Sequence, residues 1–257
     1  MSLLDAASTS FVRASAAAPA AIRPRAHVWT RQETIGAVFA LAIFAAAAAS
    51  AWIASGAVVP WDSKNHFYPM FRFLGASLAN GEVPLWNPYH FGGHPSISDP
   101  QSLIFTPTLL AFAWLAPNAS MQTFDLIILG HLFMGGLGMV GLAWRRGWRP
   151  AAAVLSAIVF MLGGSAAARL QHTGIIISYS WFPLAFWALE AAMDRPGWRA
   201  GALFGMLAGL MALGRDQVAF LFCAMFLSLV VWNAVRSGAP LVWLRKRLPT
   251  LLSAAIV

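Results

Sequence analysis

The sequence predicts an all-α protein: a bundle of membrane-spanning helices with a polar segment between its first and second spans. Three observations lead there. Of 257 residues, 59% are hydrophobic and 10% are charged, whereas a soluble domain carries roughly 25% charged residues. The apolar residues fall in runs of about 20, the length needed to cross ~30 Å of hydrocarbon. The basic residues cluster beside those runs, so the formal charge of +8 reads as membrane topology and not as a nucleic-acid surface. The single cysteine, Cys223, lies inside an apolar run, which excludes an internal disulfide.

Residues 1–34 are rich in Ala, Ser, Pro and Arg and hold no signal-peptide core; the expectation is a disordered cytoplasmic tail, although the composition also fits a transit peptide. Residues 35–257 form the transmembrane domain. Ile35 to Ala54 is the first span, and Arg13, Arg23, Arg25 and Arg31 before it place its start in the cytoplasm. The first outer loop then covers residues 56–120. Within it, Leu103 to Ala116 is too short to cross and is interrupted by Pro107, so it reads as interfacial or re-entrant.

Met121 to Trp144 runs inward to Arg145, Arg146 and Arg149. Ala151 to Ala168 returns outward, and Ile175 to Met193 goes back in. Residues 200–234 would make one helix of ~52 Å, too long for a bilayer. Two spans with a turn at Gly214 to Gln217, recessed in the outer leaflet, resolve that and keep the next basic cluster inside. A seventh span opens at Leu248, and the sequence is expected to continue beyond Val257. Of the 17 Lys and Arg residues, only Lys64, Arg72, Arg169 and Arg215 then fall outside.

The polar island runs from Trp61 to Gln101 and holds Asp62, Asp99, His66, His90 and His94. Asp62 reads either as the cap of a helix starting near Ser63 or as a general base or metal ligand at the membrane surface. Tyr68 to Ala79 is an amphipathic helix with Pro69 in its first turn, Met70, Phe71, Leu74 and Leu78 on one face, and Gly81 ending it. The stretch from Pro84 to Pro95 is a rigid loop shaped by proline and glycine. Its Trp86, Tyr89 and Phe91 anchor at the interface or stack on a sugar face. His90 and His94 are four apart, a zinc spacing on a helix, but they sit beside proline and Gly-Gly in a loop.

Inside the bundle, Asp125, His131 and Glu190 are the intramembrane ionisable groups. Asp125 and Glu190 lie close enough to the helix ends to reach water, and His131 reads as a neutral packing residue. Arg169, Gln171 and His172 occupy the second outer loop, and Arg215 and Asp216 the third. The last two read as a local ion pair; the sharper expectation is that all three outer loops converge, with Arg169 and Arg215 on a lipid phosphate.

The string GEVPLWNPYHFGGHPSISDPQS, with an outer Asp soon after the first span, resembles the YfhO-like family of bacterial membrane proteins. So do HLFMGGLGMVGLAWRRGW and GGSAAARLQHTGIIISYSWFPLAFWALE. The resemblance covers about residues 35 to 235. It implies a GT-C type bundle in the bacterial plasma membrane that transfers a sugar from a polyprenyl-phosphate carrier to an envelope polymer or lipid acceptor on the outer face. Asp62 takes the position of that class's first-loop acid, and Asp99 matches a second family acid. Asp62 would accept the acceptor proton or orient the hydroxyl through a divalent cation, magnesium or manganese, with Asp99 as the other ligand. Arg169, with Arg215 or Lys64, would stabilise the phosphate, and His172, Trp86 and Tyr89 complete the substrate-binding set. The GRDQ turn departs from the family pattern. A transporter of lipid or polysaccharide and a non-catalytic assembly subunit are the competing readings.

Overall fold

The computed structural model describes residues 26–257. Most of the expected tail, residues 1–25, lies outside the described residues. Residues 26–30 are not a free tail: His27 N–H donates to Gly147 O (2.8 Å) and Trp29 Nε1–H to Trp148 O (2.7 Å). Helix α1, Arg31–Ser55, begins four residues earlier than the apolar run alone indicates. The reason is a capping box. Thr30 Oγ1 accepts from Glu33 N–H, and Glu33 accepts from Thr30 N–H, so polar residues start an apolar helix.

After Gly56, which closes α1 with φ 65°, the chain crosses to a π-helical turn, Ser63–Phe67, that runs directly into α2, Tyr68–Ala79. The two-residue strands β1 (Trp86–Asn87) and β2 (His94–Pro95) pair antiparallel as a small hairpin. Helix α3, Pro107–Leu115, is the short apolar segment. The bundle continues with α4 (Met121–Arg145), α5 (Pro150–Leu162), α6 (Gly164–Arg169), α7 (Thr173–Asp194), α8 (Trp198–Ala212), α9 (Gln217–Arg236) and α10 (Pro240–Ile256). Among the described residues the fold is therefore all-α apart from that hairpin. Among the described residues five stretches are long and apolar enough to cross a membrane: α1, α4, α5 with α6, α7 and α9; α8 is a shorter apolar helix.

Three boundaries differ from expectation. The run from Ala151 to Ala168 is two helices, because Gly163 takes an extended conformation (φ −71°, ψ 167°). The turn at residues 213–216 divides the long run as expected, but α9 reaches 20 residues and is long enough to cross. Leu248, expected to open a seventh span, lies inside a helix and does not begin one. Helix α10 starts at Pro240, which suits a first helical turn, and carries Arg245, Lys246 and Arg247 within it.

Small residues set the close packing. An added Cβ at Gly138 would lie 2.9 Å from Leu184 N, and one at Gly135 2.9 Å from Ser180 O, so α4 and α7 meet backbone to backbone. Gly201 and Gly205, a small-xxx-small pair, seat α8 on Thr250, Ser253 and Ala254 of α10 in the same way. Most of α1 and α9 is left uncovered, as lipid-facing helices are: on α9, Phe220, Leu221, Leu227, Val231, Trp232 and Val235 are exposed.

The bundle has two chemically different ends. At one, Arg145 pairs with Asp194 and Arg146 with Glu190, each at 2.6 Å, while Arg247 donates to Met193 O. Glu190 is thus held in an ion pair. At the other end lie the polar island and the turns carrying His172 and Arg215.

Candidate site at the polar end of the bundle

Asp125 builds the floor of this end. It does not reach water as its position near a helix end indicates. It is 1% exposed and accepts from Val59 N–H (2.8 Å) and Ser63 Oγ (3.4 Å), tying the chain after α1 to α4. His131 is the packing residue expected: Nδ1 contacts Ile127 O and Nε2 contacts Thr108 Oγ1, each at 2.8 Å. A carbonyl only accepts, so Nδ1 carries the proton and Nε2 accepts from the threonine.

Asp62 precedes the π-helical turn but does not cap it. Its backbone is already helical (φ −62°, ψ −34°), and its side chain makes no capping bond. The carboxylate is half-exposed, and Oδ2 lies 3.5 Å from His172 Nε2 at the start of α7. Trp61 before it has φ 57°, a left-handed conformation uncommon for a bulky residue. That backbone bend lies directly before the carboxylate. Lys64 is exposed on the same turn.

Asp99 is enclosed differently. Oδ1 accepts from Gln101 N–H (2.8 Å), and Oδ2 lies 3.5 Å from His94 Nε2. Behind it, Arg215 Nη2 donates to Asp99 O (2.6 Å) and Ser102 Oγ (3.2 Å), and Nη1 to Ile97 O (3.3 Å); the guanidinium sits over Phe105 at 4.8 Å. Burial pushes the Arg215 pKa down, and Asp99 opposes that shift. The local Arg215–Asp216 ion pair does not form. Asp216 instead caps α9, accepting from Val218 and Ala219 N–H, and takes a hydrogen bond from Ser178 Oγ. Arg215 fastens the third turn to the first loop.

The three histidines of the island meet. His66 and His90 ring centres are 5.5 Å apart, and His90 and His94 5.2 Å. The hairpin folds β2 back on β1, and the reverse turn presents His90 to the π-helical turn. Burial is the largest influence on His66 and lowers its pKa; His90 and His94 lower it further, against Asp99 and Asp62. His66 Nε2, His90 Nδ1, His94 Nδ1 and His172 Nδ1 are buried without a protein partner. Neither the helical-spacing rule nor composition pointed to this row, because His66 comes from a different element. Among the described residues no three His, Cys, Asp or Glu side chains are set to hold a metal ion. Asp62 and Asp99 each face a different imidazole.

Two cavities flank the π-helical turn. One, of about 240 Å³, is lined by Phe67, Gln101, Arg169, His172 and Arg215. It brings the turns carrying His172 and Arg215 together with the first loop, the convergence expected from the sequence. Arg169 is exposed there. The other, of about 420 Å³, lies between α2 and the hairpin and is lined by Asn65, His66, Arg72 and Tyr89 among others. Tyr89 is 86% exposed, while Trp86 lies over Gly93, where an added Cβ would approach its ring to 3.0 Å. Trp86 therefore shapes the hairpin as well as facing solvent. No known protein family, curated protein or solved structure matches this chain.

Proposed function

We propose that this chain is a membrane glycosyltransferase of the GT-C type, YfhO-like, which uses a polyprenyl-phosphate sugar on the outer face of the plasma membrane. The observation that carries the reading is the meeting of three separate turns at one end of an apolar bundle. They bring a carboxylate (Asp62), an imidazole (His172) and two guanidinium groups (Arg169, Arg215) to one place. The basic residues at the opposite end support an inward orientation for that end, which leaves the Asp62 face outside. The acceptor is an envelope polymer or lipid.

In the proposed reaction an acceptor hydroxyl oxygen attacks the anomeric carbon of the carrier-linked sugar. The bond from that carbon to the phosphate oxygen breaks, and its electron pair leaves with the lipid phosphate. The hydroxyl proton passes to Asp62, and His172 beside it orients the carboxylate. Arg169 meets the charge that develops on the phosphate. Arg215 is reassigned: both its Nη atoms already serve the first loop, so it positions the site rather than binding the leaving group. A magnesium or manganese ion at Asp62 is the alternative form of the proposal, and activity that survives EDTA excludes it.

The test is transfer of labelled sugar from a polyprenyl-phosphate donor by the chain in proteoliposomes. Asp62→Asn is expected to lower turnover by at least about 100-fold, the scale of losing a general base. Full activity in a folded Asp62→Asn variant removes the centre of the proposal. Movement of the lipid-linked sugar without transfer identifies a transporter instead, and neither identifies an assembly subunit.

A further inference from the structure

The two cavities differ in chemistry although consecutive residues separate them: His66 lines one and Phe67 the other. The smaller is lined by Arg169, Arg215 and Asp216; Asp216 caps α9 and Arg215 serves the first loop, which leaves Arg169 to meet an anion. The larger, of about 420 Å³, has no carboxylate on its walls. Its one cation, Arg72, already donates to Asn118 Oδ1 (3.1 Å). The buried Asn87 amide is already paired with Met70 and Tyr89 N–H. Beside the small apolar wall, what remains is the exposed amide of Asn65, two imidazoles and two aromatic rings, Tyr89 and Phe73, set edge to face at 6.5 Å. His66 and His90 each keep one ring nitrogen without a protein partner, and burial lowers the His66 pKa, which favours the neutral ring. Neutral imidazole and amide groups both donate and accept, as sugar hydroxyls require. An exposed tyrosine ring supplies an apolar face with a polar rim. A charged ligand gains nothing from such walls, and a wholly apolar one leaves their polar groups unpaired.

We infer that this second cavity is a saccharide site, and that it takes the neutral, hydroxyl-bearing end of the acceptor. The assignment of acceptor rests on the transferase reading; the assignment of a saccharide site does not. The geometry places the acceptor on the His66 side of the π-helical turn and the carrier phosphate on the Phe67 side. Asp62 lines neither cavity; it stands at the head of the turn that divides them, with its carboxylate 3.5 Å from His172 of the smaller one, and in the proposed reaction the acceptor hydroxyl comes to it there.

The experiment uses the full chain in nanodiscs and neutral β-linked gluco- and galacto-oligosaccharides, with binding read by saturation-transfer NMR. A short-chain prenyl phosphate is titrated separately. Tyr89→Ala and Asn65→Ala each weaken saccharide binding by roughly fivefold or more, the scale of losing one aromatic or hydrogen-bonded contact. Both leave prenyl phosphate binding unchanged. Arg169→Gln does the reverse. Both mutated side chains of the larger cavity are exposed, so the fold is expected to survive. Saccharide binding equal to wild type in both variants overturns the inference, as does an absence of saturable binding in the wild-type chain. Saccharide binding that is lost in both variants, in a chain with no transferase activity, supports the cavity assignment and counts against the catalytic proposal.

Discussion

Arg215 offers the sharpest test of how the polar end is assembled. It makes a 2.6 Å bond to Asp99 O, a 3.2 Å bond to Ser102 Oγ, a longer contact to Ile97 O and a cation–π contact with Phe105. A hydrogen bond from a charged donor contributes ~1.5–3 kcal/mol when enclosed. Arg215 is half-buried, so solvent screening cuts each of the two good bonds to about 1 kcal/mol. The ring contact adds about 0.5 kcal/mol. Asp99 O also accepts from Ser102 N–H and Oγ–H, so it is not orphaned when the guanidinium goes. The total is about 2–3 kcal/mol for holding residues 97–105 against the third turn. At 1.4 kcal/mol per tenfold, Arg215→Gln then raises the open population of that segment roughly 30- to 140-fold. Hydrogen–deuterium exchange over residues 96–106 reads this directly. Arg215→Lys, which keeps the charge and loses the planar fork, is expected to lie between. Exchange within about twofold of wild type in a folded Arg215→Gln chain refutes the clasp.

Further outcomes follow from the same contacts. Asp125→Ala leaves the buried Val59 N–H without an acceptor and costs ~2 kcal/mol, read as a lower thermal midpoint in detergent, with Asp125→Asn milder. Burial holds the His66 pKa below its ordinary 6.5, so the unfolded chain binds the proton more readily. Stability of the first loop therefore falls as pH drops below 6.5 toward the folded-state pKa, and is unaffected above it. Exchange protection of residues 63–67 measured across that range should fall in wild type and stay flat in His66→Gln. Gly205→Val places a side chain where even a Cβ would collide with Ala254 O, so α10 is displaced. The expected loss is ~1–3 kcal/mol in thermal stability, accompanied by protease access to residues 240–257.

The sequence by itself determined the all-α class, the main apolar stretches and the division of the long run near Gly214. It also determined the amphipathic helix Tyr68–Ala79, which the structure reproduces residue for residue. These are local properties. Apolar length fixes whether a helix crosses, periodicity fixes its buried face, and proline or glycine fixes where it starts or stops. The α1 start at Arg31 was legible too, in the Thr30–Glu33 capping box, which hydropathy alone overlooks. What tertiary structure decided were the partners of polar groups. Arg215 is adjacent to Asp216 in sequence, yet its bonds lie more than 110 positions away, at Ile97, Asp99 and Ser102. Asp125 serves Val59 and Ser63 across the loop, and Asp62 faces His172 while Asp99 faces His94. Helical spacing cannot report such pairs, because a long or charged side chain is satisfied by whatever the folded loop brings within about 3 Å. The row His66–His90–His94 needed the hairpin to close before it existed.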